Sequence, residues 1–246
     1  MKKSQPTNET MKKVENDGTF HFECSRSGEC CRHMEIFLNP YDILKMAEAL
    51  GMTTIQLIQD HVLFLENKQQ GILKPVLKAA REGVCAFNSN RLCKIHRDRP
   101  LPCRLFPIAR MDEDYHLQQV SYCKGLSSRR KQDVASYIQE EEAQEHLEAA
   151  KPYHRIMKTY VSMDGSLDLE TKDLFHKVLY DFDLVFGMGY PSLTCFEKSM
   201  LAIESASFIL ESARKNGATD SNELLAGIYD KGDHFYAKML VGKENH

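Results

Sequence analysis

Cysteine placement constrains this chain more than any other feature of its sequence. Seven of the eight cysteines fall within the first 123 residues, and Cys195 is alone in the second half. The seven are Cys24, Cys30, Cys31, Cys85, Cys93, Cys103 and Cys123. Several have Arg, Lys or Gly beside them, whereas a cysteine that packs as a small hydrophobe has apolar neighbours. We therefore predict that the first half carries the chemistry and the second is mainly scaffold, with Cys195 packed on an apolar helix.

The N-terminal segment bears on the redox state of these thiols. Its sequence, MKKSQPTNETMKKVENDG, has basic residues without a following apolar core, so it does not predict a secretory signal. Residues 1–18 are expected to be a disordered leader. No stretch reaches the roughly 18 apolar residues that a membrane span needs. We expect a cytoplasmic protein, in which clustered thiols indicate metal first and redox or catalytic chemistry second; a disulfide scaffold is the weaker alternative.

Thiolates on short loops are typical ligands of tetrahedral metal sites and of iron–sulfur clusters. Because sulfur is a soft ligand, an all-thiolate shell favours iron–sulfur clusters, zinc or Cu(I) over magnesium or calcium. Cys30 and Cys31 are adjacent in the sequence. Since neighbouring residues tend to project in different directions, the pair favours a cluster several ångströms across, or two separate centres.

Other polar residues lie near the cysteines in the sequence. Three histidines are candidates to complete a mixed ligand shell, although a histidine is more often a surface or hydrogen-bonded core residue: His21, His33 and His96. Three cations are expected either to offset thiolate charge and lower thiol pKa values or to be ordinary surface residues: Lys94, Arg99 and Arg104. The acidic run EEEAQE is interpreted as a solvated helix face.

Two helices are predicted between the first two cysteine groups. Asn39 is a suitable N-cap, Pro40 suits the first helical position, an apolar stripe follows, and Gly51 is expected to end the helix. A second helix is predicted to begin at residue 53 or 54 and to run through Leu65. From 71 to about 87, short extended segments are predicted to lead into Cys85, because Pro75 fits poorly inside a helix.

The remaining segments are predicted from turn formers and helical periodicity. Residues 88–110 are rich in turn formers and proline, and predict an irregular loop around the cysteines. From residue 127 onward the pattern is helical, and a break near Pro152 is predicted to divide the first helical stretch in two. Further helices are predicted over about 168–186, 196–215 and 220–230.

Composition excludes several classes of function. The formal net charge of -3 and the pI near 6.4 argue against a protein that binds nucleic acid by neutralising phosphates. The sequence has no Gly-rich phosphate loop, no GxSxG elbow and no HExxH zinc helix, so standard hydrolase, kinase and dinucleotide-binding functions have no support.

The cysteine motifs resemble those of the YkgJ-type cysteine-cluster family, the CxxCxxCC zinc- or iron-chelating domain. The features that carry the resemblance are FECSRSGECC, the segment PYDILKMAEALG, VCAF, CKIHRDRPLPCRLFPI and a closing CKG, over about residues 20–126. Two positions differ from the usual pattern: Ser27 stands where a second cysteine is usual, and His96 stands where tyrosine is common. The resemblance implies metal chelation. It leaves Ser27, a histidine, water or substrate as ways to complete a centre.

A related cysteine-cluster domain occurs in flagellin lysine N-methylases, so the resemblance also implies a protein-modifying enzyme as an alternative class. A structural zinc module that contacts an unidentified protein partner is the third hypothesis. The preferred function is binding of an iron–sulfur cluster, with 4Fe-4S favoured, or of zinc, through the seven clustered cysteines.

The predicted fold is an α-rich α+β protein. An irregular, loop-dominated cysteine-cluster domain at 19–126 is expected to pack on a helical C-terminal region at 127–246, which follows the leader at 1–18. Because the cysteine loops have little apolar core of their own, metal is expected to supply much of their stability.

Overall fold

The computed structural model describes residues 11–14, 18–67, 72–80, 83–111, 114–187, 190–216 and 220–244. Within these ranges the strands are β1 Met11–Lys13, β2 Thr19–His21, β3 Val62–Asn67, β4 Ile72–Leu77, β5 Asn88–Ser89, β6 Leu92–Cys93, β7 Ile108–Met111, β8 Asp114–Gln118 and β9 Lys131–Asp133. The helices are α1 Cys30–His33, α2 Pro40–Leu50, α3 Thr54–His61, α4 Leu101–Leu105, α5 Val134–Glu140, α6 Gln144–Met163, α7 Leu169–Tyr180, α8 Phe182–Phe186, α9 Cys195–Asn216 and α10 Ser221–Glu244. The chain is mostly helical, with small antiparallel sheets in its N-terminal half and long C-terminal helices, which confirms the predicted fold class.

The chain forms two compact units, and each is built from two stretches of sequence. The first unit contains Met1–Phe37 and Val76–Leu147, and the second contains Leu38–Pro75 and Glu148–His246. The predicted division of the chain at residues 126 and 127 therefore differs from the boundaries of the compact units, and as a division of function it stays a prediction.

The first unit contains three small antiparallel sheets. Strand β8 lies between β1 and β7, β2 pairs with β9, and β5 pairs with β6 in a short hairpin. Met11 pairs with Gln118, and β1 is thus a regular strand within the segment that was expected to be a disordered leader. Residues 1–10 and 15–17 of that segment lie outside the described residues.

The second unit has a helical core. Helix α9 packs against α2, α7 and α10. Phe175, Leu201 and Ile209 are fully buried in this core. Burial of large apolar side chains is the dominant stabilising contribution in such a unit.

Helix α2 begins and ends where its sequence predicts. The Asn39 side chain accepts a hydrogen bond of 2.9 Å from the Asp42 amide, and the Asp42 carboxylate accepts one of 3.2 Å from the Asn39 amide. Pro40 occupies the first turn, where its missing N–H costs nothing. Gly51 ends the helix with φ of 63°, a left-handed conformation that favours glycine. These findings confirm the prediction for this segment.

Helix α3 is shorter than predicted. It has a capping box formed by Thr53 and Gln56, but it ends at His61 and not at Leu65. The following residues form β3, which pairs with β4. The prediction was wrong at this end because the run VLFLEN combines a β-branched residue and aromatic and aliphatic side chains that suit a strand with an available partner. The extended segment predicted before Cys85 is confirmed by β4.

The break in the helical region lies before Pro152, and the prediction was wrong on its position. Helix α6 runs through Pro152 without ending, although proline removes one helix hydrogen bond. The interruption falls instead at 141–143, where Glu142 has φ of 50° and the Ala143 amide donates to the Ile138 carbonyl at 2.9 Å. A left-handed residue at this position ends α5 in the way that glycine usually does.

Other boundaries also differ from the predictions. The predicted helix over 168–186 is divided into α7 and α8 by Asp181, whose carboxylate accepts a hydrogen bond from the Leu184 amide. The helix predicted over 220–230 extends to Glu244. The predicted loop over 88–110 contains β5, β6, α4 and the start of β7. Among the described residues, none of the helices has the length and apolar character required to cross a membrane.

Candidate metal centre

All seven clustered cysteines lie in the first compact unit, and they are carried by short elements and the segments between them. Cys24 follows β2, Cys30 and Cys31 form the first turn of α1, Cys85 makes an isolated bridge with Ala79, Cys93 ends β6, Cys103 lies in α4, and Cys123 precedes a 3-10 turn at Lys124–Ser127. Cys24 is exposed and the other six are half-buried. None of the eight cysteines, all of which lie among the described residues, takes part in a disulfide bond, so the disulfide alternative is not supported.

Backbone hydrogen bonds bring three of these cysteines together. The Cys85 amide donates to the Cys31 carbonyl at 2.8 Å. The Asn88 amide donates to the Cys85 carbonyl at 3.0 Å, and Asn88 is paired with Cys93 across the β5–β6 hairpin. Cys31, Cys85 and Cys93 are therefore linked by consecutive main-chain contacts.

A stack of aromatic rings connects three other cysteine segments. The Tyr122 ring stacks on the His33 ring with a centroid distance of 4.5 Å and on the Phe106 ring at 6.3 Å. His33 belongs to the same helix as Cys30, Phe106 caps α4 three residues after Cys103, and Tyr122 precedes Cys123. Burial, followed by the nearby thiols of Cys30 and Cys123, raises the pKa of Tyr122 to about 12.

Close backbone contact joins the first cysteine segment to the last. The Glu23 amide donates to the Gly125 carbonyl at 3.2 Å. A Cβ atom on Gly125 would lie 2.4 Å from the Glu23 carbonyl oxygen and 2.8 Å from the Phe22 ring, so the approach requires glycine. This contact places Cys24 and Cys123 on neighbouring segments.

The thiols disfavour one another's ionisation. A hydrogen bond with Cys31 raises the pKa of the Cys30 thiol, and burial and the thiols of Cys31, Cys103 and Cys24 raise it further. Burial raises the pKa of Cys93, and the thiols of Cys31 and Cys85 add to this effect against an opposing backbone hydrogen bond. Burial also raises the pKa of Cys123, with a contribution from Cys24. Several thiolates in one region require a compensating positive charge, which a metal ion or cluster supplies.

The seven cysteines fit a thiophilic metal in two respects: they are soft sulfur ligands, and they all lie in the first compact unit. Among the described residues, however, no three side chains of His, Cys, Asp or Glu already converge in an arrangement that could hold a metal ion. Binding therefore requires the thiols to turn toward a shared point. Half-exposed cysteines on short loops can make that adjustment more readily than residues fixed inside a helical core.

The two predicted charge-compensating arginines serve mainly to fix the loop before Cys103. Arg104 is 4% exposed, and its guanidinium donates to the carbonyls of Arg99 at 2.9 Å and Glu141 at 2.8 Å, and also to the Arg97 carbonyl. Arg99 forms an ion pair with the Glu141 carboxylate. Arg104 is thus not a surface cation, and its effect on thiolate charge stays a prediction. The charge of Arg99 lowers the pKa of the Cys93 thiol, in the predicted direction. Lys94 is exposed, as expected for a surface cation.

His96 is poorly placed to act as a ligand. Its Nδ1 lies 3.0 Å from the Arg99 guanidinium. Because arginine is always a donor, Nδ1 is the acceptor and the neutral ring carries its proton on Nε2. Burial and the charge of Arg99 lower the pKa of His96, which keeps the ring neutral. Ligation through Nε2 would require this tautomer to change.

The other candidate ligands are engaged in local contacts. His33 Nε2 lies 3.5 Å from the Glu29 carboxylate, and its ring stacks on Tyr122. His21 is exposed in β2, opposite Lys131. The Ser27 hydroxyl accepts a hydrogen bond of 3.5 Å from the Glu29 amide. Their role as ligands stays a prediction.

Sequence reasoning missed the residues that support the cysteine segments. Tyr122 and Phe106 were not identified as partners, although each lies within three residues of a cysteine. The interpretation of the acidic run as a solvated face was wrong for Glu141, which accepts from Arg99 through its carboxylate and from Arg104 through its carbonyl. The pattern RPLPCRLFP, in which Phe106 follows Cys103 by three residues, was the available signal.

Cys195 lies in the second unit, at the first position of α9, and it is half-buried. Burial raises its pKa to about 12, and the nearby Glu48 carboxylate adds to the effect. The thiol is therefore protonated at neutral pH, which agrees with the structural role that the sequence predicts.

Residues 23–124 match the model of the family described as "CxxCxxCC: Putative zinc- or iron-chelating domain". This finding confirms the resemblance predicted from the motifs, over a range close to the expected one. The stretch is a cysteine-cluster domain of the kind described as zinc- or iron-chelating. No curated protein and no solved structure matches the chain.

Proposed function

We propose that this chain binds an iron–sulfur cluster, with 4Fe-4S favoured, through the cysteines of its first compact unit. The observation that carries the proposal is the gathering of seven thiols from separated stretches of sequence into one unit, where the chain holds them by main-chain bonds and ring contacts. Six of the seven are half-buried, which is intermediate between an inert core cysteine and a fully solvated one.

The adjacency of Cys30 and Cys31 favours a cluster over a single ion. The residues are adjacent in α1, and the Cys31 thiol raises the pKa of the Cys30 thiol. Two adjacent thiolates are awkward ligands for one small tetrahedral ion, whereas a cluster offers several iron atoms at different positions, and two centres offer even more freedom.

The surrounding residues of the chain have defined tasks in this proposal. Arg104 fixes the loop from Arg97 to Cys103 by binding its carbonyls, and Glu141 holds Arg99 in the same arrangement. Tyr122 lies near the thiols of Cys30 and Cys123, and its ring stacks on His33 and Phe106. When bound, an iron–sulfur cluster supplies one-electron redox chemistry, with a potential that depends on charge, hydrogen bonding and solvent exposure.

Anaerobic purification followed by metal analysis tests the proposal. We expect a brown protein with the broad visible absorption of iron–sulfur clusters and with iron and acid-labile sulfide in comparable amounts. Replacement of Cys195 by serine is the matched control, because this thiol lies in the second unit, and the variant should keep the same iron and sulfide content.

Other outcomes identify the competing functions. A colourless protein that contains zinc overturns the iron–sulfur proposal and supports a structural zinc module. A protein that is folded and free of iron and zinc, even when it is supplied with either metal, overturns metal binding altogether. Lysine methylation that depends on a methyl donor would instead favour the enzyme class suggested by flagellin lysine N-methylases.

A further inference from the structure

We propose that the seven thiols form two neighbouring metal centres. The four-thiol centre consists of Cys24, Cys30, Cys103 and Cys123, and the three-thiol centre consists of Cys31, Cys85 and Cys93. The inference rests on the proposed metal-binding function and assigns particular ligands within it.

The three-thiol centre is assembled by the main chain. The Cys31 carbonyl accepts from the Cys85 amide at 2.8 Å, and the Cys85 carbonyl accepts from the Asn88 amide at 3.0 Å. The hairpin β5–β6 then places Cys93 opposite Asn88. None of these contacts involves the segments that carry Cys103 or Cys123.

The four-thiol centre is assembled by different contacts. Tyr122 stacks on His33 and on Phe106, which brings the segments of Cys123, Cys30 and Cys103 to one group of rings. The bond from the Glu23 amide to the Gly125 carbonyl adds the segment of Cys24. The two sets of contacts both reach α1, which carries Cys30 and Cys31, and they separate the other five cysteines into a group of three and a group of two.

Helix geometry separates Cys30 from Cys31, and their neighbours assign them: the thiols of Cys103 and Cys24 lie near Cys30, whereas Cys31 and Cys85 lie near Cys93. Successive residues of an α-helix point about 100° apart around its axis, because one turn contains 3.6 residues. Both residues begin α1, so the two side chains leave the helix in different directions. Since both residues belong to the same four-residue helix, the two centres are neighbours.

The three-thiol centre has one tetrahedral position that no cysteine fills. His96 offers its Nδ1 to Arg99, and the Ser27 hydroxyl accepts from the Glu29 amide, so neither group is free in this arrangement. An open position is typical of a reactive metal site, whereas a complete set of four thiolates is typical of a structural site or a cluster. A small exogenous ligand, with imidazole as the probe, is therefore expected to bind at the three-thiol centre.

Single serine variants of the adjacent pair test the division. We expect Cys30→Ser to lose the metal of the four-thiol centre, as Cys123→Ser does, and Cys31→Ser to lose the metal of the three-thiol centre, as Cys93→Ser does. Each variant should retain the other centre, which is measured by iron, zinc and sulfide per chain and by the visible spectrum. Cys195→Ser is the control that retains both.

Thiol labelling of the unmodified protein provides a second measurement that does not depend on the folding of a variant. The metal-free chain is titrated with Co(II) under anaerobic conditions, treated with an alkylating reagent and analysed by mass spectrometry. We expect the thiols to become protected from alkylation in two groups, one with the cysteines of the four-thiol centre and one with those of the three-thiol centre. Imidazole should change the Co(II) absorption of Cys123→Ser, which retains the three-thiol centre, and leave that of Cys93→Ser unchanged.

The failure of this inference can be told apart from the failure of the proposed function. A wild-type protein without metal overturns both. A wild-type protein with metal overturns the division alone if Cys30→Ser and Cys31→Ser show the same losses, or if all seven cysteines become protected together. An effect of imidazole on Cys93→Ser that equals its effect on Cys123→Ser overturns the assignment of the open position.

Discussion

The two compact units contain different kinds of stabilising contact. In the second unit, long helices bury large apolar side chains such as Phe175, Leu201 and Ile209. In the first unit, sheets of two or three short strands and a four-residue helix carry the cysteines, and a buried arginine binds main-chain carbonyls. Both units bury apolar side chains, with Phe22, Leu105 and Ile108 buried in the first, but the first also depends on polar contacts and, in our proposal, on metal.

Removal of metal should have the largest effect, and it should lower the stability of the first unit far more than that of the second. Structural zinc contributes roughly 10 kcal/mol to the folding of small thiolate domains, so chelation should destabilise the first unit by a large fraction of its stability. We expect amide hydrogens of α1 and of the β5–β6 hairpin to exchange much faster after chelation, while those of α7 and α9 change little. Equal loss of protection in both units would contradict a specific role of metal in the first unit.

Truncation of an aromatic ring in the core of the second unit should destabilise that unit and leave the metal content of the first unit unchanged. Phe175 is fully buried, and its ring stacks on Tyr160 at a centroid distance of 4.5 Å. Replacing it with alanine should cost about 4 kcal/mol in the free energy of unfolding of the second unit, with metal content unchanged. Leu169→Ala in the same helix is the control, because Leu169 is 86% exposed, and denaturant unfolding measures both variants.

Loss of the buried guanidinium should weaken the first unit by a smaller amount. Arg104→Ala leaves the carbonyls of Arg97, Arg99 and Glu141 without their donor, and we expect a cost of about 3 kcal/mol. Arg104→Lys should recover only part of this stability. Its ammonium group can still donate to a carbonyl, but it lacks the planar arrangement of donors that arginine has. Arg129→Ala, at an exposed position, should change stability by less than about 0.5 kcal/mol. If the exposed variant proved as destabilised as Arg104→Ala, the structural role of Arg104 would be refuted.

The smallest expected effect concerns the start of α7 and its response to acid. The Asp168 carboxylate accepts a hydrogen bond of 2.7 Å from the Thr171 amide, which lowers the pKa of Asp168. Because the folded-state pKa lies below the unfolded value, this stabilisation is present above the unfolded pKa and is lost as pH falls through the folded pKa. Asp168→Ala should cost about 1 kcal/mol at neutral pH.

Asp168→Asn sharpens this test, because asparagine caps a helix about as well as aspartate but does not titrate. We expect this variant to retain most of the stability at neutral pH and to lose the acid dependence that Asp168 contributes. Thermal unfolding measured between neutral and strongly acidic pH provides the comparison, and an unchanged acid dependence would exclude Asp168 as its source.

Local signals predicted the elements whose contacts are themselves local. The capping box of α2 requires residues three positions apart, and its sequence therefore predicted both the helix and its start. The end of α3 depended on pairing between β3 and β4, and the continuity of α6 depended on packing that outweighs one missing hydrogen bond at Pro152. Such contacts join distant positions, and the sequence of a single chain does not reveal them.

The candidate metal centre shows the same limit. Residue type predicted that the cysteines serve a common chemistry, because clustered thiols that form no disulfide have few other roles. It did not predict that Glu141 and Tyr122 support the cysteine segments, since Glu141 lies in an acidic run and Tyr122 has no distinctive pattern around it. The use of Arg104 as a donor to carbonyls also depends on the folded path of the loop.

The contact at Gly125 has a consequence for how such chains can vary in length. The segments before Cys24 and after Cys123 meet there, so the two ends of the cysteine region lie next to each other. Within this region Phe37 and Val76 form a bridge, and residues 38–75, which belong to the second unit, connect them along the chain. For a flexible excursion, each doubling of length costs only about 0.6 kcal/mol in closure entropy. An insertion in the turn between α2 and α3, at 51–53, should therefore be better tolerated than a single methyl group added at Gly125, whereas an insertion inside α2 would disturb the core of the second unit.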